Sequence, residues 1–232
     1  MDTIFKIKTT SDAPPPLKKL LKQWIATVQR YSNMHNYNDH CWWYNERATL
    51  SSLAGAAWSM EGWVALEEYA THKRQMTKTD GVESEDHHAG RCDLYITNCK
   101  VDFAFEGKQA WQRIGIHANP TRYVHKGMLA AWKDTERLAD ELAYRYAATF
   151  VIPSLSLRYI QKKSMKIDHK KVVKMLNTWL DEQKDFIRPN GIPTSYAFVF
   201  PRVGHAGFAS GSRYYPGVVL ILEEVYKQDH TT

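Results

Sequence analysis

Apolar residues near the start of the chain recur with a helical period, and this pattern predicts two consecutive helices. The first lies within residues 16–31, and the second follows Asn45, a residue type that favours helix N-caps. A third helix is predicted for residues 168–186, with Asp168 as its N-cap. The apolar stripes of the first two helices are Leu17, Leu20, Leu21, Trp24, Ile25 and Val28, and Leu50, Leu53, Ala54, Ala57 and Trp58.

Runs of branched and aromatic residues between these helices predict the strands of a sheet. The last two of them flank a long glycine-rich loop. The predicted strands lie within residues 62–74, twice within 91–108, and within 147–154, 195–202 and 217–225.

Two further segments complete the predicted order of elements. The polar residues 77–90 are expected to form a loop, and a helix is expected within 121–145. Asn119-Pro120 is typical of a helix start and would place Pro120 at the first helical position. The order of helices and strands predicts an α/β fold with a central mixed sheet flanked by helices. We expect an N-terminal leader at 1–15 and a single domain at 16–232.

Composition is that of a folded globular protein, with 44% hydrophobic and 24% charged residues. No run of about 18 apolar residues is present, so no membrane partner is expected. The N-terminus lacks the features of a signal peptide. The three cysteines, an odd number without a CxxC pair, favour reduced thiols and a cytoplasmic location.

The formal net charge is +6, and most of the surplus falls in residues 158–188. That window has nine basic and four acidic residues, a balance of +5. A concentrated basic patch attracts polyanions such as nucleic acid, although a solvated helix face explains it equally well. The candidate nucleic-acid contacts are Lys162, Lys163, Lys170, Lys171 and Lys174, together with Arg202 and Arg213 around the glycine-rich loop.

An acid-x-lysine pattern, which metal-dependent phosphodiesterases use, occurs three times. Only one copy lies at the end of a predicted strand, whereas two lie in the predicted helix at 168–186. The three copies are Glu106-Gly107-Lys108, Asp168-His169-Lys170 and Glu182-Gln183-Lys184.

Strand alternation places the first copy beside another acid. A hairpin with a two-residue turn at Asn98-Cys99, or with a four-residue loop over 97–100, brings Asp93 opposite Ala104 and diagonal to Glu106. In this register the apolar faces of both strands coincide. Diagonal neighbours on adjacent strands lie about 5 to 8 Å apart. The two carboxylates are therefore expected to converge on one face.

Carboxylates that converge are hard oxygen ligands suited to Mg²⁺ or Mn²⁺. The Gly107 carbonyl can add a backbone ligand, and Lys108, on the same face as Glu106, can orient a water or neutralise charge on a phosphate. The alternative is a surface hairpin whose exposed face carries these charges without a function.

The helix opening with Glu46, followed by three strands with Asp93 on the second and Glu106-Gly107-Lys108 on the third, resembles the PD-(D/E)xK nuclease superfamily. The resemblance covers residues 45–108 and extends to about 153. It implies a restriction-endonuclease-like core, with Asp93, Glu106 and Glu46 as metal ligands and Lys108 as the motif lysine. Cys92 stands where many members have proline, and three other acids compete with Glu46: Glu61, Glu67 and Glu68.

The resemblance implies a Mg²⁺-dependent nuclease that hydrolyses DNA in preference to RNA. The alternative hypothesis is a catalytically inactive nuclease-like module that binds nucleic acid or a protein partner. A homodimer or a larger assembly that supplies specificity is compatible with either hypothesis.

Overall fold

The structure, a computed structural model, describes residues 2–79, 82–138 and 144–226. Within 72–79 and 82–89 it describes the course of the strands and not the side chains. None of the helices in the described part of the chain is long and apolar enough to cross a membrane.

Five α-helices and nine β-strands are formed by the described residues. The helices are α1 (Pro15–Met34), α2 (Glu46–Trp58), α3 (Arg122–Thr135), α4 (Leu157–Ile160) and α5 (His169–Glu182). The strands are β1 (Ile4–Lys8), β2 (Val64–Thr79), β3 (Val82–Thr97), β4 (Asp102–Arg113), β5 (Tyr144–Ser156), β6 (Ser195–Phe200), β7 (Ala209–Ser210), β8 (Arg213–Tyr214) and β9 (Val218–Glu224).

The nine strands form one mixed sheet, in which seven follow the order β1-β6-β9-β5-β4-β3-β2, while β8 pairs with the end of β5 and β7 pairs with β8. Only the β4–β5 pair is parallel, with α3 as the connection between the two strands, and the other neighbours are antiparallel. The predicted class, an α/β fold with a mixed sheet flanked by helices, is confirmed. Residues 4–8, inside the predicted leader, form the edge strand β1 on β6.

Helices cover both faces of the sheet at β4. An added Cβ atom on Gly107 would point at Leu50 of α2, whereas one on Gly127 of α3 would meet Ala110 of β4 at 3.1 Å. Because side chains alternate along a strand, the odd-numbered residues of β4 face α2 here and the even-numbered ones face α3. This division decides which helix each residue of the acid-x-lysine motif meets.

The predicted apolar stripe of α1 is confirmed, since all six of its residues are buried. Trp24 anchors α1 to α2, because its indole N–H donates to the Ser52 hydroxyl over 2.9 Å. Both predicted N-caps are also confirmed. Asn45 accepts a hydrogen bond from the Ala48 amide, and Asp168 accepts one from the Lys171 amide.

Trp58 of the predicted α2 stripe is 59% exposed and does not belong to the buried face. Three predictions about a loop, a helix start and a strand register were also wrong. Residues 77–79 and 82–90 are not a loop, because β2 and β3 continue as a paired hairpin through them. Pro120 is not the first helical residue, because Thr121 caps α3 and the helix begins at Arg122.

The third correction concerns the β3–β4 register. Thr97 pairs with Asp102 and Tyr95 with Ala104, so the loop spans residues 98–101 and β4 is shifted by two residues from the predicted register. The Asn98 side chain stabilises the observed loop by accepting hydrogen bonds from the amides of Lys100 and Val101.

Candidate functional site

The candidate site lies where β3 and β4 diverge. Their pairing extends only as far as Leu94 and Phe105, while β4 continues for eight residues. At this edge, two carboxylates accept the backbone hydrogen bonds of β4 that a neighbouring strand would otherwise accept. Asp93 Oδ2 accepts a hydrogen bond from the Gly107 amide at 2.9 Å, and Glu46 Oε2 accepts one from the Gln109 amide at 3.1 Å.

Glu46 reaches this edge because α2 begins beside β4. The Gln109 side chain donates to the Trp42 carbonyl at 3.2 Å and to the Thr49 hydroxyl at 3.0 Å. These bonds hold the start of α2 against the middle of β4. Glu46, as the first residue of α2, therefore lies over the diverging edge.

Lys108 connects the two helices that flank β4. Its ammonium lies 2.9 Å from Asp134 Oδ2 on α3 and 3.6 Å from Glu46 Oε1 on α2. Burial lowers the pKa of Lys108, but attraction to Asp134, Glu46 and Asp93 outweighs it, and the net pKa is raised. Lys108 is therefore a fixed positive charge at neutral pH and not a general base.

A cavity of about 170 Å³ adjoins the two carboxylates. Two acids of β2 also line it, and both have partners. Glu67 accepts a hydrogen bond from Ser51 at 2.7 Å, and Glu68 forms ion pairs with Arg47 and with Arg91, the latter at 3.5 Å. The lining residues are Glu46, Arg47, Leu50, Glu67, Glu68 and Asp93.

Glu106 lies apart from this cavity, so the prediction that Asp93 and Glu106 share one face was wrong. Gly107 faces α2 and the Asp93 carboxylate, and its neighbour Glu106 therefore points to the opposite face. Glu106 is only 2% exposed. It lies near Cys92, whose pKa is raised to about 12 by burial and, secondarily, by the Glu106 charge.

A distortion in the pairing of β2 with β3 accompanies the departure of Asp93 from the expected alternation. Glu67 pairs with Leu94 and Tyr69 pairs with Cys92, and between them Glu68 has a left-handed φ of 54°. Cys92 consequently packs with Ala104 on the other face from Leu94. Asp93, at this irregular point, directs its carboxylate to the β4 edge.

The cavity offers carboxylate oxygens, which are the ligands that a hard divalent cation prefers. In the described part of the chain, no group of three or more histidine, cysteine, aspartate or glutamate side chains is arranged to hold a metal ion. Mg²⁺, however, keeps several waters and binds proteins through one or two carboxylates together with substrate phosphates. Glu46 and Asp93 fit that requirement in ligand type and number.

The predicted nucleic-acid contacts lie on other elements. The five lysines are exposed, on α5 and on the turn before it, and Arg213 begins β8. Arg202 is exposed in the turn after β6, with its guanidinium 5.0 Å from the centre of the Tyr37 ring.

Two residues of the site did not emerge from the sequence. Asp134 holds Lys108 from α3, and Gln109 ties β4 to α2. Gln109 directly follows the acid-x-lysine motif. A polar residue on the side of a strand that faces a helix could have indicated its role in the sequence. Asp134 gave no signal, because its role depends on how α3 packs on β4.

Comparison of the chain with protein-family models, with curated proteins and with solved structures finds no match.

Proposed function

We propose that this protein is a Mg²⁺- or Mn²⁺-dependent nuclease of the PD-(D/E)xK type that hydrolyses phosphodiester bonds in DNA. The observation that carries the proposal is the meeting of Glu46, Asp93 and Lys108 at the β4 edge that β3 leaves uncovered. The element order helix, three antiparallel strands, helix and parallel strand supports a restriction-endonuclease-like core.

In this proposal Glu46 and Asp93 hold the metal ion. Each already has one oxygen fixed by a β4 amide, and this fixing restricts the carboxylate without any metal. A divalent ion bound there would supply an activated water and stabilise charge on the scissile phosphate. Glu106 is assigned no ligand role, because its side chain lies on the opposite face of β4.

Lys108 supplies positive charge to the phosphate. Its raised pKa keeps it protonated, and its contacts to Asp134 and Glu46 fix the position of the ammonium. A fixed charge beside a phosphate stabilises the negative charge that develops during hydrolysis, and losing one such contact lowers kcat by about 10² to 10³.

The test is hydrolysis of single- and double-stranded DNA and of RNA in Mg²⁺, in Mn²⁺ and in EDTA. We expect metal-dependent cleavage by the wild type and a loss of about 100-fold or more in Asp93→Asn, Glu46→Gln and Lys108→Met. Glu182→Gln is the matched control, because this exposed acid on α5 belongs to another acid-x-lysine match. It should cleave at the wild-type rate.

An inert wild type, or site variants as active as the control, rejects the nuclease. In that case salt-sensitive DNA binding that survives EDTA and Glu46→Gln would support the inactive nucleic-acid-binding module.

A further inference from the structure

Three aromatic rings form an open cluster beyond the candidate site. Trp111 is 39% exposed, and Trp43 and Tyr215 are half-buried. The Tyr215 ring meets the Trp111 ring edge to face, with centres 5.3 Å apart, and meets Trp43 at 6.5 Å. We call these three residues the aromatic surface.

The aromatic surface continues directly from the candidate site. Trp111 follows Gly107 by four residues on β4, so it projects from the same face, about 13 Å further along the strand. Trp43 precedes Glu46 by three residues, in the 3₁₀ turn before α2. Gln109, which bonds to the Trp42 carbonyl, joins the two segments between the site and the rings.

Positive charge borders the rings. Arg113 lies two residues beyond Trp111 on β4 and is exposed, so it projects from the same face as Trp111. Arg213, the first residue of β8, stands two residues before Tyr215 in the chain, and Tyr214 between them is buried. Rings alternating with arginines match the bases and phosphates of a nucleic-acid strand.

We propose that the aromatic surface binds single-stranded DNA, with bases stacked on Trp111 and phosphates held by Arg113 and Arg213. The inference rests on the proposed function, which supplies DNA as the polyanion. A single strand fits because its bases offer free faces for stacking, whereas a duplex hides those faces inside its own stack. The surface thus selects single-stranded or frayed DNA and leads it towards Glu46 and Asp93, on the α2 side of β4.

Binding is measured by fluorescence anisotropy of labelled oligothymidine in EDTA, so that cleavage plays no part. We expect Trp111→Ala to raise the Kd by about five- to 150-fold, the effect of losing one stacked base. Affinity for a duplex of the same length should change less than about twofold. Trp111→Phe keeps a ring and should stay within about threefold of the wild type.

Trp58→Ala is the matched control. Trp58 is 59% exposed and ends α2, about 18 Å along that helix from Glu46. It should bind oligothymidine as the wild type does.

Several results would overturn the inference: no binding of oligothymidine by the wild type, equal effects of Trp111→Ala and Trp58→Ala, or an equal loss of duplex binding. A change in oligomeric mass without a change in DNA affinity would assign the rings to contact with a second copy instead. Ring-dependent binding without metal-dependent cleavage would retain this inference and reject the nuclease. Metal-dependent cleavage of single-stranded DNA that Trp111→Ala leaves unchanged would retain the nuclease and reject this inference.

Discussion

A buried ion pair between Glu223 of β9 and Arg188 should make the free energy of unfolding depend on pH. This prediction is independent of the proposed function. The Arg188 Nε atom donates to Glu223 Oε1 over 2.8 Å, and the guanidinium lies 4.9 Å from the centre of the Trp132 ring. Glu223 is only 1% exposed. Burial raises the pKa of Glu223 from 4.5 to about 7, even though attraction to Arg188 opposes the rise.

The direction of the pH dependence follows from these two values. Between pH 4.5 and pH 7 the folded protein binds the Glu223 proton more tightly than the unfolded chain does, so the free energy of unfolding falls as the pH rises. The stabilisation from the neutral acid is complete below about pH 4.5 and lost above about pH 7. At 1.36 kcal/mol for each pH unit, the loss is about 3 kcal/mol.

The assay is urea denaturation of the wild type and Glu223→Gln at several pH values from 4.5 to 8.5. The amide keeps an acceptor for Arg188 but does not titrate, so the difference between the two proteins should change by about 3 kcal/mol across this range. Groups shared by both proteins, such as buried His40 with its pKa lowered to about 4, cancel in that difference. Glu182→Gln should parallel the wild type. Parallel profiles for wild type and Glu223→Gln would refute the reasoning.

Two further predictions address the site and the fold. Asp134→Asn should lower the pKa of Lys108, because it removes a negative charge 2.9 Å from the ammonium, and should change the free energy of unfolding by at most about 1 kcal/mol. In the proposed nuclease, the fall of the cleavage rate at alkaline pH should then begin at a lower pH than in the wild type. An unchanged pH profile would show that Asp134 does not influence Lys108. Gly207→Ala should cost more than about 3 kcal/mol in urea denaturation, because its Cβ would collide with the Tyr37 carbonyl oxygen. Gly211→Ala should cost less, because its Cβ opens into free space and meets only the strain of a left-handed φ of 56°, about 1 to 2 kcal/mol.

The fold was predictable where burial imposes a period on the sequence. The apolar stripe of α1 is uninterrupted, and the caps Asn45 and Asp168 mark the starts of α2 and α5. The same logic failed for residues 82–90, because that part of β3 pairs with β2 through backbone hydrogen bonds along a polar sequence. Backbone hydrogen bonds between strands do not depend on hydrophobic side chains, so a hydrophobic pattern cannot predict them.

The β3–β4 register shows the limit of alternation more sharply. Alternation has a period of two, so it distinguishes a shift of one residue and is blind to a shift of two. The Asn98 side chain stabilises the loop 98–101 that belongs to the observed register, and a hydrophobic pattern carries no record of such bonds. The face of Asp93 depended on the distortion at Glu68, which involves another strand and lies outside any analysis of one hairpin.

The divergence of β3 from β4 gives the two acids a structural role that is compatible with catalysis. A strand edge inside a protein leaves amide donors that need acceptors, and Asp93 and Glu46 supply them for Gly107 and Gln109. Each amide engages one oxygen of a carboxylate that has two. A carboxylate fixed in this way loses less conformational freedom when it binds a cation than a mobile one would. In the proposed nuclease, covering the edge would therefore also position the acids for a metal ion, while Asp134 and Glu46 hold Lys108 beside them.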